Sequence, residues 1–177
     1  MTLLVGPVVQ DDILDIQLRF RMVMVALVAD AEKMYRQVLM HREDRSLQKI
    51  LWPPKSSGPV QAYELCTVTY GLDASSFLAT RTLLQLAEDY CSDYPKANNA
   101  IRKNVYVDDF ISGDNTIEGA IQLRTELTEL LQKGGFRLRK WCSNSLPVLT
   151  GLSPELFGTQ SSVTFGPDET IKTLGIR

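Results

Sequence analysis

Two adjacent aspartates interrupt a strand-forming run in the middle of this 177-residue chain. Asp108 and Asp109 lie within residues 104–113, where the flanking side chains are mostly β-branched, aromatic or apolar. The pattern predicts two short strands joined by a tight turn at the acid pair. Two unit charges about 4 Å apart repel by roughly 4 kcal/mol at an effective dielectric constant near 20, so packing the two carboxylates together does not stabilise the fold. It indicates either a solvated hairpin turn or a site for a divalent cation.

The composition is that of one ordinary globular domain, with 44% hydrophobic and 23% charged residues. The net charge of −2 gives no support for a nucleic-acid binder with a broadly basic surface. His41 is the single histidine, which argues against zinc sites and histidine-based triads. Three scattered cysteines and an apolar run of only eight residues (22–29) lead us to expect an intracellular, cytoplasmic protein without a membrane span.

Residue periodicity predicts an α+β fold. Four strands and two helices are expected, in the order strand 22–29, helix 74–90, strand 104–108, strand 109–113, helix 116–133 and strand 136–142. Residues 91–99 are predicted to be a loop, and Gly134-Gly135 should stop the second helix. With residues 31–72 set aside as an insertion, the order is β-α-β-β-α-β, the split, ferredoxin-like arrangement.

This topology predicts that a third carboxylate joins the acid pair. A right-handed crossover makes the first two strands parallel and places the third between them. Asp30, at the end of the first strand, then lies at the same sheet edge as Asp108 and Asp109. Oxygen ligands of this kind select hard cations such as Mg²⁺, and two such ions support phosphoryl or nucleotidyl transfer. The alternative is a different strand register, in which Asp30 merely begins a loop.

Five segments, in order, resemble motifs of the reverse transcriptase palm, most closely those of BEL/Pao-type LTR retrotransposons. They are distributed along nearly the whole chain and comprise residues 30–38, 67–81, 106–109, 134–141 and 173–175. The resemblance implies an RNA-directed DNA polymerase. Asp30, Asp108 and Asp109 would hold two Mg²⁺ ions, with Mn²⁺ as a substitute, and the backbone carbonyl of Ala31 would assist.

The same resemblance implies roles for four further residues. Tyr35 would pack under the sugar of the incoming nucleotide, and Tyr70 would lie near that nucleotide. Gly71 would let the backbone approach the templating base pair closely. Lys140 would serve as general acid for the pyrophosphate leaving group. Core packing is the alternative for Tyr35, and a solvated strand lysine is the alternative for Lys140.

The resemblance also divides residues 1–177 into parts of one polymerase fragment. Residues 22–30 and 73–142 would form the palm, 31–72 a fingers insertion, and 143–177 the start of the primer-grip region. Expected partners are an RNA or DNA template-primer, a dNTP, and the rest of a particle-associated polyprotein, including a thumb and RNase H. Alternatives are a catalytically inactive relic, or a nucleic-acid-binding module that uses Arg36, Arg102, Lys103, Arg137, Arg139 and Lys140.

Overall fold

The computed structural model describes residues 4–55 and 58–158, which contain both helices and antiparallel strands. The helices are α1 (Ile13–Phe20), α2 (Met34–Gln37), α3 (Ser75–Asp89), α4 (Pro95–Lys103), α5 (Ile117–Lys133) and α6 (Leu146–Leu149). The strands are β1 (Val25–Ala31), β2 (Lys49–Trp52), β3 (Gln61–Glu64), β4 (Val105–Tyr106), β5 (Asp109–Asp114) and β6 (Leu138–Ser143). Short 3₁₀ helices lie at Arg42–Leu47 and Pro154–Leu156. The α+β class is therefore confirmed, whereas the motif at 173–175 lies outside the described residues.

The chain divides into two compact units, which we describe separately. Among the described residues, the first unit contains residues 4–9 together with Lys33–Thr82, and the second contains Gln10–Glu32 together with residues 83–158. The first unit carries a two-stranded hairpin of β2 and β3, whose residues are all exposed. None of the described helices is long and apolar enough to cross a membrane.

The second unit is built on a four-stranded antiparallel sheet with the strand order β4-β5-β1-β6. The strand that follows the hairpin turn, β5, thus lies between β4 and β1. Helix α5 packs against β1 and β5, and α1 packs against β4 and β5. The core includes Phe110 on β5, Trp141 on β6 and Leu130 on α5, all of which are buried.

The first strand differs from its prediction in position and in burial. It begins at Val25 instead of residue 22, because Met22 and Met24 are exposed, and it ends at Ala31. The continuous apolar run at 22–29 predicts a strand buried on both faces, and this is wrong, because the strand's residues alternate between buried and half-buried and only one face is fully covered. Asp30 therefore lies inside the strand, on the half-buried face.

The helices follow local sequence signals, with one exception. Asp12 caps α1 by accepting a hydrogen bond from the Leu14 amide at 2.8 Å, and Thr116 caps α5. Helix α5 ends at Lys133 before the predicted Gly134-Gly135 stop, and α3 agrees with its predicted range to within one residue. The predicted loop at 91–99 is wrong in its second half, because α4 begins at Pro95.

Candidate functional site

The acid pair lies at a two-residue turn between β4 and β5. Tyr106 pairs with Asp109 across the hairpin, so Val107 and Asp108 form the turn itself. Val107 has a φ of 55°, a left-handed conformation that is unfavourable for a β-branched residue. Its amide donates a hydrogen bond to Oε1 of Gln10 at 3.1 Å. The turn is thus held in a strained conformation by contacts outside the hairpin.

Strand β1 brings Asp30 directly opposite Asp109. The two residues are paired in the antiparallel register of β1 and β5, which places their side chains on the same face of the sheet. Beyond this pair, the Ala31 amide donates a hydrogen bond to the Asp108 carbonyl oxygen at 2.8 Å. The juxtaposition of Asp30 with the acid pair, predicted from topology, is therefore present in the structure.

This arrangement makes the negative charge of Asp109 unfavourable. Burial, followed by the carboxylates of Asp108 and Asp30, raises the pKa of Asp109 from 3.8 to about 6, against an opposing effect of the Lys140 ammonium. Desolvation and like charges both disfavour the ionised carboxylate. A bound cation would reverse this effect, because it favours the ionised form.

Two cations of β6 neutralise Asp30. Arg139 donates from Nε to Oδ1 of Asp30 at 3.2 Å, and the Lys140 ammonium contacts Oδ2 at 2.9 Å. Arg139 also bridges to a second carboxylate, because its Nη1 lies 3.3 Å from Oε1 of Glu32. The Asp30 side chain is only 15% exposed, whereas that of Lys140 is 54% exposed. The network therefore combines a shielded carboxylate with one accessible cation.

A β-bulge explains how two consecutive residues reach the same carboxylate. Neighbouring side chains of a regular strand point to opposite faces. Between the pairs Val28↔Cys142 and Asp30↔Arg139, however, β6 contains one residue more than β1. Lys140 lies in this irregular segment with a left-handed φ of 54°. Such a bulge redirects side chains, and here it turns Arg139 and Lys140 together toward Asp30.

The donor set is compatible with Mg²⁺, although the carboxylates are not assembled around a metal position. Asp30, Asp108, Asp109 and the Ala31 carbonyl supply only oxygen ligands, which Mg²⁺ prefers. Within residues 4–55 and 58–158, no group of three or more His, Cys, Asp or Glu side chains is placed to hold a metal ion. The two oxygens of Asp30 contact Arg139 and Lys140 instead. A cation that used Asp30 would compete with these two positively charged partners for the carboxylate.

The first unit contains the three further residues to which the resemblance assigns nucleotide or template contacts, Tyr35, Tyr70 and Gly71. Tyr35 and Tyr70 contact each other edge to face, with ring centroids 5.0 Å apart and an interplanar angle of 71°. Tyr70 remains 57% exposed. Gly71 has a φ of 82°, so its conformation favours glycine, while a Cβ there would meet no described atom within 4 Å. The nucleotide-binding roles of these residues stay predictions.

Sequence reasoning missed the Arg139–Glu32 part of the network. The sequence predicts only a nucleic-acid contact for Arg139 and no individual role for Glu32. A signal was present, because Leu138 and Trp141 are both apolar but lie three positions apart, which breaks the two-residue period of a strand. Both side chains are buried, so the extra residue between them marks the bulge.

No model of a known protein family matches the chain, and no curated protein is significantly similar to it.

Proposed function

We propose that this chain is the palm region of an RNA-directed DNA polymerase that extends a primer on an RNA or DNA template. The observation that carries the proposal is the cross-strand pairing of Asp30 with Asp109, next to Asp108 in a strained turn. The raised pKa of Asp109 supports it, since functional carboxylates are commonly held in environments that disfavour their charge. The ordered motifs that resemble reverse transcriptases supply the substrate class.

The strand order supports a split β-α-β-β-α-β palm. In that arrangement the third strand lies between the first and the second, and the fourth pairs with the first. The order β4-β5-β1-β6 agrees with this description once β2 and β3 are assigned to the first unit. Residues 31–72 would then be the fingers insertion.

Asp30, Asp108 and Asp109 would hold two Mg²⁺ ions with the Ala31 carbonyl. The bound ions would supply Lewis-acid activation of the primer 3′-hydroxyl and charge stabilisation of the pyrophosphate. The chain itself contributes the fixed edge that orients these oxygens, because the Ala31 amide ties β1 to the turn at Asp108. Lys140 would protonate the pyrophosphate leaving group from its position beside the acids.

The aromatic pair of the first unit is the proposed nucleotide contact. Tyr35 would exclude a 2′-hydroxyl by packing under the sugar, and the exposed Tyr70 would contact the incoming dNTP. Gly71 would hold the backbone beside the templating pair. A thumb and an RNase H of the same polyprotein remain proposed partners.

Primer extension on an RNA template tests this function. We would assay the 177-residue chain, and the same chain together with whatever its reading frame encodes on either side. In each case the Asp108→Asn variant is the catalytic control, and Asp93→Asn is the matched control at an exposed aspartate. We expect Mg²⁺-dependent extension that Asp108→Asn reduces by at least 100-fold and Asp93→Asn leaves unchanged.

Equal extension by the parent protein and the Asp108→Asn variant would refute the catalytic assignment. Absence of extension from every form, with retained template binding that weakens as salt rises, would favour the nucleic-acid-binding alternative. Absence of both activities would favour a relic.

A further inference from the structure

In the second unit, the two cations that contact Asp30 differ in the number of carboxylates that bind them and in their exposure. Arg139 is anchored at both ends of its guanidinium, by Asp30 and by Glu32. Lys140 forms an ion pair with one carboxylate, that of Asp30, through a side chain that is 54% exposed. One cation is therefore fixed by two carboxylates, while the other extends into solvent.

We propose that Arg139 is a positioning residue for Asp30, and that Lys140 is the exchangeable cation that a divalent metal ion displaces. This inference rests on the proposed function, because it assumes that Asp30 is a metal ligand. Arg139 holds Oδ1 of Asp30 and so fixes the orientation of the carboxylate toward Asp109. Oδ2, which Lys140 covers, becomes the oxygen offered to the metal.

The geometry of the guanidinium supports the positioning role. Its planar fork can donate from Nε and Nη1 to two different carboxylates at once, as it does to Asp30 and Glu32. A lysine at the same place has one terminal nitrogen and could not keep both contacts in a fixed plane. Groups that orient a metal ligand in this way typically change metal affinity by about 10- to 100-fold when they are mutated.

The bulge supports the division between the two cations. It places Arg139 in register with Asp30, and it gives the next residue, Lys140, a left-handed backbone. The strain of a non-glycine residue at this φ would be unnecessary if Arg139 alone were required. The bulge therefore has the consequence that a second, more exposed cation reaches Asp30.

Mn²⁺ binding to the full 177-residue chain tests this inference without requiring polymerase activity. We would measure the Kd by electron paramagnetic resonance at pH 7.5 for the parent chain, Asp109→Asn, Arg139→Gln, Arg139→Lys and Lys140→Gln. Circular dichroism would establish that each variant is folded. The Asp109→Asn variant serves to locate the bound ion at the acid pair.

The variants separate positioning from simple charge repulsion, because the two accounts predict opposite signs. Removing a cation near a metal should tighten metal binding on charge alone. Positioning predicts that Arg139→Gln weakens Mn²⁺ binding by about tenfold or more, and that the charge-conserving Arg139→Lys also weakens it. Lys140→Gln should tighten binding by roughly two- to fivefold, which is the factor that an exposed ion pair is worth.

Tighter Mn²⁺ binding by Arg139→Gln, or unchanged binding by Arg139→Lys, would overturn the inference and leave the proposed function intact. If the parent chain binds no Mn²⁺, or if Asp109→Asn binds it equally well, both the inference and the proposed metal site fail. If one Arg139 variant does not fold, the other still decides the question.

Discussion

At the scale of single residues, the turn between β4 and β5 combines backbone strain with charge repulsion. Val107 adopts a left-handed conformation that costs a β-branched residue roughly 1–2 kcal/mol. Asp109 carries a carboxylate whose ionisation is disfavoured by burial and by two other acids. Neither feature stabilises the fold, and both lie where the proposed chemistry occurs. Such costs concentrate at functional sites because the surrounding structure can impose them.

The strain at Val107 predicts that glycine is the better residue for stability at this position. We expect Val107→Gly to be more stable than Val107→Ala by about 1 kcal/mol. Both substitutions remove the isopropyl group, but only glycine adopts this φ without steric strain. Urea unfolding of the two variants measures the difference. Equal stabilities, or a more stable alanine variant, would contradict the strained turn.

The raised pKa of Asp109 predicts a pH-dependent gain in stability from Asp109→Asn. The unfolded carboxyl ionises near 3.8 and the folded one near 6. Its ionisation therefore destabilises the fold fully above about pH 6, and the penalty disappears as the pH falls below 3.8. We expect Asp109→Asn to gain about 1–2 kcal/mol at pH 7.5, after allowance for solvent screening of this half-buried group.

Urea unfolding at pH 7.5 and at pH 4 measures this effect. The stability gained by Asp109→Asn should be mostly lost at the lower pH, where the wild-type carboxyl is protonated in the folded protein. Asp93→Asn, at an exposed aspartate, is the control and should change stability little at either pH. A loss of stability in Asp109→Asn at pH 7.5 would contradict the proposed environment.

At the scale of elements, the start of α4 depends on a residue from another helix. Its N-cap residue is Tyr94, but Oε2 of Glu126, on α5, accepts hydrogen bonds from the Lys96 and Ala97 amides at 2.8 and 3.1 Å. Glu126 is only 8% exposed, so these bonds are shielded from water. A carboxylate at this place also interacts favourably with the positive end of the helix dipole.

This interaction predicts that Glu126→Ala lowers the free energy of unfolding by about 2–3 kcal/mol, because two backbone amides lose their acceptor. Glu129→Ala on the same helix is the matched control, since Glu129 is exposed and should cost less than about 0.5 kcal/mol. Chemical denaturation of both variants gives the comparison. Equal effects of the two substitutions would exclude the capping role.

The helices and strands that could be predicted carry their signals in adjacent residues. The apolar stripe of α5, its Thr116 cap and its glycine stop are all contained in adjacent residues. Helix α4 was missed although Pro95 is a local start signal, because its N-cap residue Tyr94 makes no side-chain cap and the acceptor for its first amides is Glu126, about thirty positions away. The prediction of one regular strand over residues 136–142 leaves out the bulge at Lys140.

The part of the candidate site that depends only on strand topology could be predicted from the sequence. Strand order brings Asp30 opposite Asp109, and that order followed from the sequence of elements. The bonds from Arg139 to Asp30 and Glu32 depend on the bulge, which the three-residue spacing of Leu138 and Trp141 indicates without specifying the partners of Arg139. The nucleotide-contact roles of Tyr35, Tyr70 and Gly71 still rest on resemblance.

At the scale of the whole molecule, the site exists only when the sheet is assembled. Asp30 and Arg139 are 109 positions apart in sequence, and β1 must pair with both β5 and β6 to bring the acids and cations together. The net charge of the chain is −2, so the negative edge is not an effect of overall composition. Its charge is local and arises from the register of three strands.

If this edge binds a divalent cation, as we propose, carboxyl-carbon NMR of its aspartates will detect the binding. At constant pH 7.5, Mg²⁺ would be added to the full chain with aspartate carboxyl resonances assigned by single Asp→Asn variants. We predict that the resonances of Asp30, Asp108 and Asp109 move together with one apparent Kd, while that of the exposed Asp93 stays unchanged. Resonances of the three acids that remain unmoved, or that move no more than that of Asp93, would contradict the claim.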